Sequence, residues 1–217
     1  MSKPTLMERI VHKIYVKTLK LTAPAHRKKL KTTDFTIISN NCWAGICYRH
    51  YGLPKLSPTV GLYFFAEDYL KFCSDLKYYL SQELRFIQAK ESKYADILMK
   101  RGEMHVPVGL LDDVEIIFLH YKTPEIAKEK WERRVKRINW DNLIVKFSYQ
   151  NMCTEEHIHR FFALPLPGKR FAFVNRPFPE YPSAFVIEGY ENSQIDDDAF
   201  WWNRYFEVDE YLNQNIV

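Results

Sequence analysis

The sequence predicts an α/β domain whose sheet is covered by helices on both faces, preceded by a separate amphipathic helix. Within residues 32–217, short β-branched and aromatic runs alternate with segments of helical periodicity. A chain of 217 residues can bury a sizeable core without a disulfide or a metal. Residues 1–31 differ in charge, because nine of the 31 Lys and Arg residues lie there beside a single acid. We therefore expect one α/β domain over 32–217 and a distinct N-terminal segment.

The first element is a helix predicted over residues 5–21. Apolar residues from Met7 to Leu21 recur on one narrow face at the helical period, and lysines flank that face. A basic amphipathic helix of this kind can lie on an anionic membrane surface. We therefore expect residues 5–31 to bind the inner leaflet of the membrane. Alternatively, the apolar face packs on the domain or on a partner subunit. We expect residues 1–31 to be dispensable for folding.

The body of the chain continues with strands and helices in alternation. Strands are predicted over residues 35–38, 60–64, 86–89, 114–119, 143–147, 171–174 and 184–187. Helices are predicted from Cys42 to Gly52 and over residues 66–81, 124–138 and 155–163, with glycine and proline at typical helix ends and starts. Strands that alternate with helices imply a sheet covered on both faces.

Composition excludes several classes of protein. The net charge of +4 is too small to imply nucleic acid, and no apolar stretch approaches the roughly 20 residues that span a bilayer. Cys42 and Cys47 have no second pair to complete a zinc site. No cleavable signal peptide is recognisable, so the four cysteines are expected to be free thiols in a cytoplasmic protein. No cofactor is predicted.

A polar segment ends the first predicted strand and enters a helix. Its candidate binding residues are Ser39, Asn40, Asn41, Cys42 and Trp43, which stand where open α/β sheets place ligands. A helix N-terminus binds phosphate or carboxylate and lowers the pKa of a thiol placed there, so Cys42 is a candidate nucleophile. In the structural alternative, Asn41 caps the helix and Cys42 is a small buried side chain.

A histidine offers a base for that nucleophile. His120 directly follows the strand predicted over residues 114–119. If that strand is parallel to the first, His120 lies on the same edge of the sheet as Cys42, and the two form a nucleophile and its base. A histidine that ends a strand and bonds locally is the alternative.

Charged clusters give further candidates. Arg134 and Arg137 fall near the buried stripe of the helix predicted over residues 124–138, and clustered arginines bind phosphates. A partly buried Arg134 needs a partner, which is either a donor phosphate or a carboxylate. The candidate carboxylates, which are also counted as substrate-binding residues, are Asp68, Asp112 and Asp113.

The tail carries an acidic motif. Asp196 and Asp198 have a D-x-D spacing, which can hold a divalent cation on a nucleotide-sugar diphosphate. Acidic matches of three residues are common by chance, and no metal site is predicted.

Several motifs together resemble a known family. They are residues 37–45 (IISNNCWAG), 57–62, 68–69, 106–109 ahead of 118–121, and 130–134 ahead of 137–139. This combination resembles the bacterial family catalogued as domain of unknown function nineteen-nineteen, over roughly residues 33–210. Members of that family tend to occur in capsule and exopolysaccharide gene clusters, so the resemblance implies a part in surface-polysaccharide biosynthesis. Ala44 departs from the glycine expected in N-N-C-W-G-G.

A more distant similarity is to papain-like cysteine peptidases. The shared features are a strand, S-x-N-C, F-x-x-D and a later R-R-x-x-R helix. This similarity implies a thiol role for Cys42. The chain lacks the glutamine and the glycine-rich nucleophile surroundings of papain-type enzymes, so proteolysis is not implied.

Three functions follow from these observations. The leading hypothesis is a transferase that takes an activated sugar, acyl or phosphoryl donor and a lipid-linked glycan acceptor at the inner face of the membrane. The second is a cysteine hydrolase or acyltransferase with Cys42 as nucleophile and His120 as base. The third is a non-catalytic scaffold or binding subunit.

Overall fold

Two β-sheets organise the part of the chain that the computed structural model describes, residues 6–198 and 206–214. The strands are β1 (Thr36–Ser39), β2 (Arg85–Ile87), β3 (Val108–Leu111), β4 (Val114–Ile117), β5 (Leu143–Ser148), β6 (Lys169–Val174) and β7 (Ala184–Val186). The helices are α1 (Leu6–Arg27), α2 (Trp43–His50), α3 (Ala66–Ser74), α4 (Leu76–Ser81), α5 (Ala95–Arg101), α6 (Pro124–Val135), α7 (Glu155–Ala163) and α8 (Val208–Asn213). The predicted α/β class is confirmed.

The larger sheet is parallel and has the strand order β1, β5, β6, β7. Ile37 of β1 lies beside Ile144 of β5, and Val145 lies beside Arg170 of β6. Because every pairing is parallel, all four strands end at one edge of the sheet, which we call the carboxyl edge. Residues that directly follow β1, β5 and β6 therefore come together at this edge.

Alternate residues of these strands bury opposite faces of the parallel sheet. Ile37 and Ile144 pack in one cluster with side chains of α2. Ile38 and Val145 pack in another cluster with side chains of α3, α6 and α7. Helices thus cover both faces, as the alternation of strands and helices predicted.

The smaller sheet is antiparallel and has the order β2, β3, β4. Asp112 and Asp113 alone connect β3 to β4, and Asp112 has a φ of 53°, which short hairpin turns require. The strand predicted over residues 114–119 is therefore the second arm of a hairpin. Since it does not join the parallel sheet, the condition under which His120 was expected to share an edge with Cys42 is not met.

Two predicted elements differ for local reasons. The helix predicted over residues 66–81 divides into α3 and α4 at Asp75, whose φ of −147° is not helical and whose side chain caps α4. The strand predicted over residues 60–64 is replaced by a single bridge between Tyr63 and Ile117. The loop that results lies between α2 and α3.

Helix α1 has two apolar faces that point in opposite directions. Leu19 and Ala23 are buried on the side that contacts α2. The predicted apolar stripe lies on the other side and remains exposed, from 44% at Ile10 to 82% at Leu21. The helix continues beyond the predicted end at Leu21 to Arg27, and Pro24 lies within its last turn. Among the helices described, none is both long enough and apolar enough to cross a membrane.

Candidate functional site

Polar side chains follow three neighbouring strands at the carboxyl edge. Asn40 and Asn41 follow β1, Gln150 follows β5 and Asn175 follows β6, and all four are buried, as is Ser39 at the end of β1. Within the described residues, Oδ1 of Asn40 and Oδ1 of Asn175 have no hydrogen-bond partner. Buried polar atoms without partners are uncommon in native proteins, and Asn175 also lines a cleft that is described below.

A buried ion pair lies beneath this edge. The side chain of Lys146 in β5 is fully buried, and that of Asp198 is 3% exposed. The Lys146 ammonium donates to Asp198, to the hydroxyl of Ser148 and, at 3.0 Å, to Oδ1 of Asn41. Burial lowers the pKa of Lys146, and the carboxylate of Asp198 opposes this by favouring the charged form. The protein thus neutralises this charge itself.

Asn41 connects the ion pair to helix α2. Its Oδ1 accepts from the hydroxyl of Ser39 at 3.0 Å and from the N–H of Trp43, the first residue of α2, at 3.1 Å. Its Nδ2 donates to Gln150 at 2.7 Å and to Asp198 at 2.9 Å. Cys42 occupies the N-cap position of α2 and Asn41 precedes it, so the structural alternative that made Asn41 the N-cap is wrong by one residue, although the Asn41 side chain does bind the first N–H of the helix.

Cys42 is partly exposed and directly precedes α2. Its Sγ donates a hydrogen bond to the carbonyl oxygen of Leu62 at 3.6 Å. Burial raises the pKa of this thiol to about 12; Asp198 adds to the effect and Lys146 opposes it. The lowered pKa expected at a helix N-terminus is not observed, because desolvation outweighs the helix dipole. At neutral pH, Cys42 is a protonated thiol.

His120 is exposed and approaches the same loop as Cys42. Its backbone N–H donates to the carbonyl oxygen of Gly61 at 3.0 Å, next to the Leu62 carbonyl that Cys42 contacts. No hydrogen bond joins the Cys42 and His120 side chains in the described structure. The two segments are therefore neighbours through the loop at residues 60–62, and the nucleophile–base pair stays a prediction.

The three carboxylates predicted to bind substrate lie at the antiparallel sheet. Asp68 of α3 is 1% exposed, pairs with Lys93 and accepts the N–H of Glu115 at 3.1 Å. Burial raises the pKa of Asp68 more than Lys93 lowers it. Asp112 and Asp113 occupy the exposed hairpin turn. Their side-chain hydrogen bonds within the described residues join α3 and α4 to the hairpin and do not involve the carboxyl edge.

Arg134 is buried, as expected, but its partners differ from those predicted. Its Nη1 donates to the carbonyl oxygen of Val60 at 3.2 Å and to the hydroxyl of Tyr121 at 2.6 Å. The carboxylate alternative, a pairing with Asp68, Asp112 or Asp113, is not observed among the described residues, and the phosphate alternative stays a prediction. Arg137 is exposed rather than near the buried stripe, because α6 ends at Val135 and helical periodicity no longer sets its direction.

Arg134 belongs to a group that we call the cation cluster, formed by Arg49, Lys55, Lys130 and Arg134. The Lys130 ammonium lies 5.6 Å from the ring centre of Tyr121, whose hydroxyl accepts from Arg134. Burial lowers the pKa of Lys55, and Arg134, Arg49 and Lys130 lower it further. None of the four forms an ion pair with a described carboxylate. Their positive charge is therefore open to an anion.

A cleft of about 310 Å³ opens beyond the carboxyl ends of β5 and β6. Carboxylates and amides dominate its lining, which includes Tyr149, Glu155, Asn175, Arg176, Glu191, Asn192 and Gln194. Arg176 pairs with Glu155 across it. Carboxylate and amide oxygens accept hydrogen bonds from hydroxyl groups, and amide N–H groups donate to them. The cleft therefore suits a polyhydroxylated ligand.

The D-x-D spacing has another role. Asp198 directs its carboxylate to Lys146, and Asp196 is exposed. Over the described ranges, no group of three or more His, Cys, Asp or Glu side chains is arranged to hold a metal ion. Asp198 thus serves as the partner of a buried lysine.

Some residues of the site were not predicted, although signals for them existed. A lysine within the apolar run of β5 indicates a buried charge, because a strand covered on both faces rarely tolerates one without a partner. Gln150 and Asn175 follow strands as Asn40 does, and the carboxyl-edge argument applies equally to them. Lys55 carried no signal, since it lies in a loop whose neighbours are set by tertiary structure.

Similarity to known proteins covers most of the chain. The family model described as "Domain of unknown function (DUF1919)" matches residues 12–216. A protein of Haemophilus influenzae described as uncharacterized is 32% identical over 191 residues, which is 86% of this chain and 86% of that protein. The matched range includes the carboxyl edge, the cation cluster and most of α1.

Proposed function

The chain belongs to the DUF1919 family, and we propose that it is a transferase of surface-polysaccharide biosynthesis that binds an activated donor through its phosphates. The cation cluster carries this proposal. Four basic side chains gather near one loop, and no described carboxylate neutralises them. Like charges held together repel one another unless an anion joins them. A diphosphate supplies several negative charges in one compact group.

A sugar is the group that we propose the donor to carry. The cleft beyond β5 and β6 offers the carboxylates of Glu155 and Glu191 and the amides of Asn175 and Gln194. The oxygen of Asn175 is buried and unpartnered among the described residues, so a ligand hydroxyl would satisfy it. Resemblance to a family that tends to occur in capsule and exopolysaccharide gene clusters supports the same class of substrate.

The proposed location is the cytoplasmic face of the inner membrane, where lipid-linked acceptors are accessible. The exposed stripe of α1 includes Ile10, Ile14 and Leu21, and the exposed Lys13 and Lys17 flank it. The domain packs against the opposite face of the helix, so the stripe is available to a partner. An apolar stripe with basic flanks complements an anionic bilayer surface.

The cysteine-dependent alternative has less support. A thiol pKa of about 12 leaves roughly one thiolate in 10⁵ molecules at pH 7. The Sγ–H of Cys42 is engaged with the carbonyl of Leu62. We therefore assign Cys42 no covalent step. The non-catalytic alternative becomes the conclusion if no activated donor binds.

A binding screen tests the proposal. Thermal shifts measured with a panel of nucleotide-diphosphate sugars should identify at least one ligand, with its affinity then measured by calorimetry. Glu191→Gln should weaken the sugar nucleotide about tenfold and leave the parent nucleotide diphosphate unchanged, because Glu191 lines the cleft proposed for the sugar. Glu210→Gln, at an exposed position of α8, is the matched control and should change neither. A folded protein that binds no nucleotide sugar contradicts the proposal.

A further inference from the structure

We infer that the pocket between α1 and α2 binds a lipid that carries a phosphate at the end of a hydrocarbon chain. The inference deepens the proposed function and rests on it, since it assigns a site to the lipid-linked substrate. The pocket has a volume of about 760 Å³, within the range of ~300–1,000 Å³ that is common for ligand sites. Its lining combines two kinds of surface that a phosphate-bearing lipid also combines.

One part of the pocket is apolar. Val16, Leu19 and Ala23 contribute from α1, and Leu53 contributes from the chain that follows α2. Gly52 keeps this part open, since a Cβ there would lie 3.1 Å from the Cβ of Ala23 and its φ of 62° favours glycine. A hydrocarbon chain is the ligand group that such a wall accommodates.

The other part of the pocket is positively charged. The described residues of its lining include the four cations Lys17, Arg27, Arg49 and Lys55 and no carboxylate. The C-terminus of α2 attracts cations with only about half an elementary charge, and Arg27 already donates to the carbonyl of Gly52 at 3.4 Å. The positive charge of these four side chains is therefore larger than the negative charge that the described groups of the pocket provide to balance it. A phosphate would neutralise it.

The position of the pocket favours a lipid over free phosphate. Helix α1 forms one wall, and its Lys17 both lines the pocket and flanks the exposed apolar stripe proposed to contact the membrane. The pocket therefore adjoins the proposed bilayer surface. Arg49 and Lys55 belong both to the pocket and to the cation cluster, so a lipid phosphate would lie near the donor phosphates. Transfer between two substrates requires this proximity.

Calorimetry with dodecyl phosphate, below its micelle concentration, tests the inference. We expect it to bind at least tenfold more tightly than inorganic phosphate and than a neutral dodecyl ethylene-glycol ether, because only the amphiphile engages both parts of the pocket. Equal affinity for dodecyl phosphate and inorganic phosphate would indicate a phosphate site alone and overturn the inference. Equal affinity for the neutral ether would overturn it as well.

Two variants locate the binding. Val16→Trp should fill the apolar part and reduce dodecyl phosphate affinity at least tenfold. The double variant Lys17→Glu/Arg27→Glu should weaken it about tenfold, whereas the matched pair Lys28→Glu/Lys31→Glu, exposed and outside the pocket, should not. If the Val16→Trp variant does not fold, the comparison of the Lys17→Glu/Arg27→Glu and Lys28→Glu/Lys31→Glu variants tests whether dodecyl phosphate binds in this pocket. Unchanged affinity in the Lys17/Arg27 variant contradicts the site.

Nucleotide-sugar binding separates this inference from the proposed function. The Val16→Trp variant should retain nucleotide-sugar affinity, since Val16 is not among the described residues that line the cleft proposed for the sugar. The protein could bind dodecyl phosphate through Lys17 and Arg27 and yet bind no nucleotide sugar. That result would contradict the proposed function and would still support the lipid pocket. Nucleotide-sugar binding without alkyl phosphate binding would contradict the pocket alone.

Discussion

Two positively charged regions interact electrostatically with Cys42, and they differ in how their charge is balanced. Lys146 is fully buried and is neutralised by Asp198 within a hydrogen-bonded network. The cation cluster around Lys55 has no described carboxylate partner. Its member Arg134 donates its hydrogen bonds to two neutral acceptors, the carbonyl of Val60 and the hydroxyl of Tyr121. Lys146 therefore has a structural role, whereas the positive charge of the cation cluster is available to bind an anionic ligand.

This contrast predicts different responses to substitution. Removing one partner of a buried ion pair leaves an uncompensated charge in the interior, which is strongly destabilising. Removing an exposed cation that has no partner leaves nothing unsatisfied and relieves repulsion. Stability measurements and binding measurements should therefore separate the two regions.

The largest expected effect is on stability, at the ion pair. Lys146→Met should lower the free energy of unfolding by about 3–5 kcal/mol, because Asp198 is left charged and buried. Urea denaturation at pH 7 measures the loss. Lys55→Met, at an exposed position, is the control from the cation cluster and should stay within about 0.5 kcal/mol of wild type. Similar losses in both variants would remove the contrast.

An intermediate effect is expected at Arg134, which is the buried member of the cation cluster. Arg134→Ala should lower the free energy of unfolding by about 1–3 kcal/mol, because the hydroxyl of Tyr121 loses its donor and the carbonyl of Val60 keeps only the Tyr121 hydroxyl of its two donors. Arg137→Ala, exposed and two residues past the helix, should stay within about 0.5 kcal/mol. Equal stability of the two variants would show that burial of Arg134 has no energetic consequence.

A smaller effect should appear with pH where α1 meets α2. The rings of His26 and His50 lie 3.9 Å apart, and burial together with His26 lowers the pKa of His50 to about 4; Lys29 also lowers it and Asp209 opposes. Unfolded His50 titrates near 6.5. The unfolded chain therefore binds the proton first, and the stability that is complete above pH 6.5 declines as the pH falls toward 4.

Melting temperatures at pH 7.0 and 5.5 measure this decline. The double variant His26→Asn/His50→Asn should show a drop that is about 2–4 °C smaller than that of wild type. His105→Asn, at an exposed position, is the matched control and should keep the wild-type drop. A larger drop in the double variant than in wild type would contradict the sign of the pKa shift.

The smallest effect is expected at Cys42, between the two regions. Cys42→Ser should change nucleotide-sugar affinity by less than about twofold, because serine also donates a hydrogen bond to the Leu62 carbonyl. In wild type, alkylation of Cys42 by iodoacetamide should accelerate up to pH 10 without a plateau, as a pKa of about 12 requires. A plateau below pH 8 would restore the nucleophile.

Local signals explain what could be predicted from the sequence. The boundary from β1 to α2 and the polar residues around Asn41 are encoded within a few neighbouring positions, and so is the stripe of α1. The sequence analysis does not predict the hairpin, because it recognises no strand at β3 with which the strand over residues 114–119 could pair. The two-residue turn at Asp112 and Asp113 is the local signal for this hairpin.

Tertiary contacts explain what could not be predicted. Lys146 and Asp198 are 52 residues apart, and Arg134 takes a carbonyl from Val60, 74 residues away. No spacing rule links such positions. The pKa of the Cys42 thiol also depends on tertiary structure. Its position at a helix N-terminus predicts a lowered pKa, but its burial in the folded protein raises the pKa.

Binding of pyrophosphate tests the central claim most directly, because it presents the donor's phosphates without the rest of the ligand. Calorimetry should show binding that weakens with added salt. The double variant Arg49→Ala/Lys55→Ala should bind about 10- to 100-fold more weakly, with its free energy of unfolding within about 0.5 kcal/mol of wild type. Lys28→Ala/Lys31→Ala, which removes the same charge elsewhere, should bind as wild type does. Equal pyrophosphate affinity in wild type and the Arg49/Lys55 variant would contradict the account.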